Sequence, residues 1–434
     1  MPCFDHYGLE ISSSGPAVDT WQAGLDASLA FDQSGIIELS EAVRLEPDFA
    51  LAHVLLARQQ MIYGQWQQGQ QSLAMALSLS TKVSKREASQ IDVTAKASSG
   101  DPKSLALAKA HLSQWPTDVF VFAQIVGPFG LLAFSGQSNW REQCLALLEQ
   151  YATKFPANDW WFLSTLAFAL AETGDLLNAE NVAEHAWDIA KKGTCAHSLS
   201  HVHFELGALE TGIEYINHWA NECGGTKSDM CHHLRWHEAL FNLELGNSDA
   251  GFMQTVYRQY LDPKVSDPMP LSTYSDNASL LWRCALSDYQ VPAQFISATV
   301  SYGKQHFADV GFAFADIHTI VITALSKDKA VQNELLEKLY RLEDFQVKNL
   351  LVQLHNGMSA FANGDFTQSA SLLKGTLDKS VGLGGSNPQR RIVEESYLAA
   401  CMNAGDKESA IALLEQRLTK RPSPFDEKLL ATLR

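Results

Sequence analysis

Histidine is the residue type that this chain places most pointedly for chemistry. Of its 14 histidines, six fall in two short runs: His197, His201 and His203, then His232, His233 and His237. Four residues is close to one helical turn, so His197 with His201, and His233 with His237, each share one face of a helix. Paired imidazoles at that spacing are what a divalent metal such as Zn, Mn or Fe takes from a helix, with a carboxylate completing the set. Asp316, in Asp316-Ile317-His318, is the candidate carboxylate. The expected metal set is therefore His197, His201, His233, His237 and Asp316. His203 lies two residues past His201 and points to a different face. The helical metalloprotease pattern, with Glu directly after the first His, is missing, and histidines also serve as ordinary hydrogen-bonding core residues. Neutral imidazoles act as general bases near pH 7, and His201, His237 and His318 are the candidates for catalysis of that kind.

A second polar cluster is Gly384-Gly385-Ser386-Asn387-Pro388-Gln389-Arg390-Arg391, directly before a helical pattern. Two glycines followed by a helix start can form an anion nest of outward backbone amides, with Arg390 gripping a carboxylate or phosphate. The plainer reading is a helix cap between two repeats, with the arginines solvated or paired to Glu394 and Glu395. Asp276 and Arg283 lie seven residues apart on one helical face and read as an ion pair or a polar lining. With Asn387, Gln389 and Arg390 they make up the expected ligand-binding residues. Trp236, Trp282 and the Trp160-Trp161 pair sit inside helical patterns, where burial is the ordinary reading. Lys82-Val83-Ser84-Lys85-Arg86-Glu87 reads as a capped, solvated helix start. No phosphate-binding glycine loop, Gly-x-Ser-x-Gly elbow or dinucleotide fingerprint occurs, which disfavours nucleotide chemistry and the familiar serine hydrolases.

These residues must be positioned by helices, because strand signals are absent. The clearest unit runs from Pro156 to Lys192. There Leu163, Leu166, Ala167, Leu170, Ala179, Ala183 and Ala186 keep a two-helix period around a turn at Thr173-Gly174-Asp175. Alanines at the crossing let two antiparallel helices approach, and the glycine supplies the left-handed residue that ends the first. The arrangement recurs around Ala57, Gly64 and Ala76, around Ala239 and Gly246, and around Gly405, Ala410 and Pro422, with Ala42 and Pro47 closing a first unit. The fold expected is all-α, a tetratricopeptide-type α-α superhelix or solenoid, with closure into a ring-like array left open.

The expected organisation is an N-terminal segment at 1–16, N-terminal hairpins at 17–260, an irregular connection with helices at 261–346, and C-terminal hairpins at 347–434. In the third segment Asp262-Pro263, Asp267-Pro268 and Pro270 interrupt the pattern, and helical runs return at Ser279 to Leu286 and Val310 to Leu325.

Composition sets the class. The 434 residues are 46% hydrophobic and 19% charged, enough apolar surface for a folded chain. The net charge of -16, from 49 acidic and 33 basic residues, repels phosphate backbones and anionic membranes, so no nucleic acid and no membrane are expected as partners. The start lacks a basic and then apolar leader, and no stretch has about 18 uninterrupted apolar residues. Seven scattered cysteines without a C-x-x-C pair fit free thiols, and a cytoplasmic location is expected.

Several of these segments together resemble the tetratricopeptide repeat protein 38 family across nearly the whole chain. They begin with Tyr7-Gly8-Leu9-Glu10-Ile11-Ser12, Glu87 and Pro116-Thr117-Asp118. The more specific pieces are His197-x-x-x-His201-x-His203, His233-x-x-x-His237-Glu238-Ala239-Leu240 and Asp276-x-x-Ser279-x-Leu281-Trp282-Arg283. Phe314-x-Asp316-x-His318 and Leu383-Gly384-Gly385-Ser386-Asn387-x-Gln389-Arg390 complete the set. The resemblance implies an all-α superhelix and makes these polar positions candidates for one shared cavity. It brings no known reaction with it.

Two functions follow as expectations. In the first, a concave cavity lined by His, Asp and Arg binds a small polar or anionic molecule, with or without a metal ion, and binding and catalysis are not separated. In the second, the array is a non-catalytic scaffold that grips a peptide or partner helix. A peptide groove would repeat Asn, Lys or Arg at one place in successive units, whereas here the polar types gather in a few segments, which favours the cavity.

Overall fold

A computed structural model describes residues 3–13, 15–246, 250–265, 269–287 and 289–434. The expected break at Asp267-Pro268 lies outside the described residues. The fold is all-α and of the tetratricopeptide type: antiparallel helical hairpins follow one another along the chain. No helix among the described residues is long and apolar enough to cross a membrane. The chain divides into two compact units, one of Met1–Leu199 with Trp219–Cys231 and the other of Ser200–His218 with His232–Arg434.

The first unit contains the hairpins Pro16–Leu29 with Ser34–Leu45, Ala50–Ile62 with Trp66–Leu79, and Trp160–Thr173 with Leu176–Ile189. Their physical basis is the expected one. Ala42, Ala57, Ala76, Ala179, Ala183 and Ala186 are all at most 1% exposed, so small residues do mark the crossings. Gly64 and Gly174 turn the chain with φ of 74° and 91°, a region an L side chain enters only at a cost. Gly24 goes further than alanine: a Cβ there would stand 2.6 Å from the Leu39 side chain of the facing helix.

Two features of this unit depart from the sequence reading. Cys3–Phe4 pairs with Glu10–Ile11 in a two-residue antiparallel ladder, although strand signals were absent. No strand propensity is needed, because Asp5 Oδ1 accepts the amides of Tyr7 at 2.9 Å and Leu9 at 2.8 Å and closes the turn. The start of helix Lys85–Ser98 is capped as expected, with Ser84 and Glu87 exchanging hydrogen bonds, but it is not solvated. Arg86 and Glu87 are buried, and both hold the N-terminal segment. Arg86 donates to the Glu10 carbonyl at 2.9 Å, Ser12 N–H donates to Glu87 Oε1 at 2.8 Å, and Thr117 Oγ1 donates to the Tyr7 carbonyl at 3.2 Å. Arg86 also meets Asp118 Oδ2 at 2.9 Å.

The second unit continues with Cys231–Leu245, Pro270–Leu286 with Ala293–His306, and Ala313–Ser326 with Lys329–Tyr340. Phe345–Ala362 with Phe366–Lys374, Asn387–Ala404 with Lys407–Lys420, and a final Pro424–Leu433 follow. The helix read as starting at Ser279 begins at Pro270, through Ser272-Thr273-Tyr274-Ser275-Asp276-Asn277. Those residues have poor helical propensity, and packing overrides it. Every residue from Thr273 to Cys284 is buried, and so are most of Phe314 to Ala324 on the next hairpin's first helix. A helix that carries polar residues yet has no exposed stripe must take that polarity inside. This is what creates the site below.

Candidate ligand site in the second unit

Helix Gly193–Leu206 carries His197, His201 and His203, and helix Cys231–Leu245 carries His232, His233 and His237. The four-residue spacing acts as expected. The His237 ring lies with its centroid 4.7 Å from His201 and 4.9 Å from His233, edge to face in both cases. His201 and His237 are 1% and 0% exposed, so these rings belong to the interior. Trp236 stacks on His233 at 5.4 Å and fixes its plane. His203 takes another face, against Tyr215 at 5.7 Å, and burial pushes its imidazole down to about 4. His197 falls in the first unit, one turn before His201 on the same helix, half-buried and stacked on Phe168 at 6.0 Å.

Asp276 is wholly buried. Its Oδ2 is 2.8 Å from His233 Nδ1, 3.3 Å from Ser272 Oγ, which donates to it, and 3.8 Å from His232 Nε2. Burial is the largest influence and pushes the carboxyl up to about 8, while the same burial pushes the His233 ring down to about 3. Near pH 7 the pair is therefore an uncharged carboxylic acid donating to a neutral imidazole, since charging either partner would cost desolvation.

Arg283 shares a face with Asp276 but pairs elsewhere. Its Nε is 2.7 Å from Glu395 Oε2, it donates to the Pro388 carbonyl at 2.7 Å and to Ser279 Oγ, and its guanidinium lies 5.8 Å from the Trp236 ring centre. An uncharged Asp276 offers a guanidinium little, whereas Glu395, held below the usual carboxylate range by Arg283, Arg391 and Arg417 against the effect of burial, is an ionised partner. Glu395 is thus a residue of the site that local spacing did not assign to Arg283.

The loop before Asn387–Ala404 is a cap, and a buried one. Ser386 N–H donates to Gln389 Oε1 at 2.9 Å, so this amide of the supposed nest is already used. Arg390 donates to the Gly385 carbonyl and, at 2.5 Å, to Asn387 Oδ1. The arginines are not solvated, at 7% and 8% exposed, and the charges of Arg391 and Glu395 support one another. Arg391 stands between Glu244 at 3.4 Å and Asp426 at 3.6 Å, and Glu394 faces Lys420 at 3.8 Å. Gly385 has φ of 79°, and a Cβ there would meet the Phe314 ring at 2.4 Å, which brings the cap against helix Ala313–Ser326.

On that helix, His318 Nδ1 is 2.6 Å from the Phe314 carbonyl. A carbonyl only accepts, so Nδ1 carries the hydrogen and Nε2 presents a lone pair. Nε2 is buried and has no hydrogen-bond partner among the described residues; burial pushes the ring down to about 4 and keeps it neutral. Asp316, two residues away and so on another face, accepts the Gly311 amide at 2.9 Å and is pushed by burial up to about 7. It does not join the histidine set. Asn277, which the sequence reading passed over, is 0% exposed, and neither its Oδ1 nor its Nδ2 has a partner among the described residues. The same holds for Asp276 Oδ1 and Thr273 Oγ1. The one sequence signal for Asn277 is its place in a run of poor helix formers that nevertheless sits in a core helix. The tryptophans behave as expected: Trp236 and Trp282 are buried, and Trp282 donates to Ser396 Oγ at 2.7 Å.

His201, His233, His237, Asp276, Asn277, Arg283, Asp316, His318, Gln389 and Arg390 are all buried to 7% exposure or less, while Asn387 and Glu395 are partly exposed. Comparison with known proteins adds little to this geometry. No family's sequence profile matches the chain. A crystal structure of yeast Tom70 aligns with 96% of this chain and 94% of its own length, at 13% sequence identity and a TM-score of 0.33.

Proposed function

We propose that this protein is a repeat-fold binding protein whose second unit encloses a small polar molecule. The observation that carries the reading is His318 Nε2, a buried and preoriented lone pair without a partner, together with the unpartnered amide of Asn277. A buried polar group left unmade costs about 1–3 kcal/mol, so a fold that keeps several gains if something else satisfies them. Arg283 is neutralised by Glu395, and Asp276 and Asp316 are pushed towards their uncharged forms. The interior therefore favours an uncharged hydrogen-bonding molecule over the anion that the arginines alone suggested. His318, whose Nε2 presents a lone pair, remains the residue able to take a proton from such a molecule. Kinship to the tetratricopeptide repeat protein 38 family belongs to the same reading, supported by the way its motif pieces meet: Tyr7 with Thr117 and Ser12 with Glu87 in the first unit, and His233 with Asp276, Arg283 with Pro388, and Phe314 with Gly385 in the second.

The test is native mass spectrometry of the purified protein with a thermal-shift screen of small polar compounds, repeated on Asn277→Leu. Leucine has nearly the same shape, so the variant keeps or gains stability and loses the ligand-dependent shift. A variant destabilised by about 1–3 kcal/mol, with no compound shifting the parent, removes the reading.

The second reading is the protein-interaction scaffold, and a specific observation favours it. Ile37, Trp66 and Leu177 are 70%, 58% and 74% exposed, each on the second helix of a hairpin in the first unit. Loss of partner capture on Trp66→Glu with unchanged small-molecule binding would support it.

A further inference from the structure

Apart from any bound small molecule, we infer that the second unit holds a divalent transition-metal cation on His201 and His237. Their ligating nitrogens lie within 4.8 Å of each other, and both side chains are at most 1% exposed. A four-coordinate cation with bonds of about 2.0–2.1 Å holds its nitrogens roughly 3.3 Å apart, so modest side-chain rotation brings the pair onto one ion. Helix Cys231–Leu245 supplies a further imidazole, His233, one turn before His237 and with its ring centre 4.9 Å away.

The surroundings select the ion. The close set consists of imidazoles. Asp276 engages His233 and Asp316 engages the Gly311 amide, so neither carboxylate is aimed at this pair. Nitrogen ligands without carboxylate suit zinc and the later first-row ions and disfavour magnesium and calcium, which require oxygen. His233, held at Nδ1 by Asp276 and stacked on Trp236, packs against His237 and limits the positions its ring can take. An ion here would also link helix Gly193–Leu206 to helix Cys231–Leu245 by bonds stronger than ring contact.

The full-length protein is stripped with chelator, dialysed, and titrated with zinc and separately with cobalt(II), whose visible absorption reports four-coordinate binding. One equivalent per chain is expected, with an X-ray absorption first shell of nitrogen or oxygen at about 2.0–2.1 Å and no sulfur. His201→Gln and His237→Gln should each weaken binding on the order of tenfold or more, whereas His185→Gln, an exposed histidine, should not. Circular dichroism checks that the variants fold. Should a glutamine variant unfold, the first-shell spectrum of the parent decides alone. Absence of stoichiometric binding, a sulfur-containing shell, or undiminished affinity in both folded variants overturns the assignment.

Discussion

Two buried aspartates, one in each unit, show what a partner does to a charge. Asp118 is 2% exposed and receives Arg86 at 2.9 Å, His111 Nε2 at 3.0 Å and Gln90 at 3.3 Å. Burial pushes its carboxyl up, but the His111 hydrogen bond and the Arg86 charge outweigh it and hold the group below the usual carboxylate range. Asp276 is just as buried and has only neutral neighbours in hydrogen-bond contact, so burial wins and the carboxyl rises to about 8. The first carboxylate is closed: both oxygens are satisfied by donors, one of which, Arg86, also fastens the N-terminal segment. The second is open, with Asp276 Oδ1, Asn277 and His318 Nε2 left unpartnered among the described residues. A carboxylate with both oxygens used serves structure, and one that keeps an unused oxygen beside other unpartnered groups leaves a place for a ligand.

The largest expected effect breaks the closed side. Arg86→Met should leave an uncompensated buried carboxylate and cost about 3–5 kcal/mol. Because Arg86 also holds the Glu10 carbonyl, hydrogen exchange should rise first in the segment around residues 3–12. A melt and exchange profile like those of the parent would refute the closed assignment.

An intermediate effect is expected at the cap of the open side. Gly385→Ala places a methyl against the Phe314 ring at a positive φ and should destabilise by about 1–3 kcal/mol, with Phe314→Leu restoring part of the loss. Additive losses in the double variant, measured by denaturant unfolding, would show that the two groups do not press on one another.

The smallest effect sharpens the comparison. At pH near its unfolded pKa of about 3.9, Asp276→Asn should alter stability by under about 1 kcal/mol, and above that pH the variant should gain on the parent, whose fold must keep a proton that the unfolded chain has lost. The sign with pH is opposite for the two aspartates. Asp276, raised in the fold, contributes stability that is fully present below its unfolded pKa of about 3.9 and is lost as pH rises through about 8. Asp118, lowered in the fold, contributes stability present above that unfolded value and lost as pH falls through its lower folded value. The Asn variant should therefore flatten the decline between about pH 4 and about pH 8 and leave the acid limb set by Asp118 unchanged. A profile in which both limbs persist would mean that Asp276 is ionised in the fold.

Much of the fold was legible because its determinants are local. Gly64, Gly174 and Gly405 mark turns that only a positive φ makes, and alanines at helix crossings recur with the hairpin period. The histidine faces were legible for the same reason: His233 and His237 meet as helical spacing requires, while the approach of His201 comes from another helix. What misled was charge. Arg86 and Glu87 looked solvated because Lys82, Lys85 and polar neighbours surround them in sequence, yet their partners Asp118, Glu10 and Ser12 are far along the chain. Arg391 supports Glu395 one turn on, yet its ion-pair partners at 3.4 and 3.6 Å are the distant Glu244 and Asp426. Pairs one turn apart on a helix are worth only a few tenths of a kcal/mol, about 0.2–0.5, and give way when packing offers a desolvated partner.

By itself, the sequence determined the helices, their turns, and which side chains share a helical face, because these follow from backbone sterics and a 3.6-residue period. Tertiary structure alone decided which faces are buried, which arginine meets which carboxylate, and that Asp276 is a neutral acid while Asp118 is an ion. Those outcomes depend on distance and desolvation between residues far apart in the chain, quantities that no local spacing encodes.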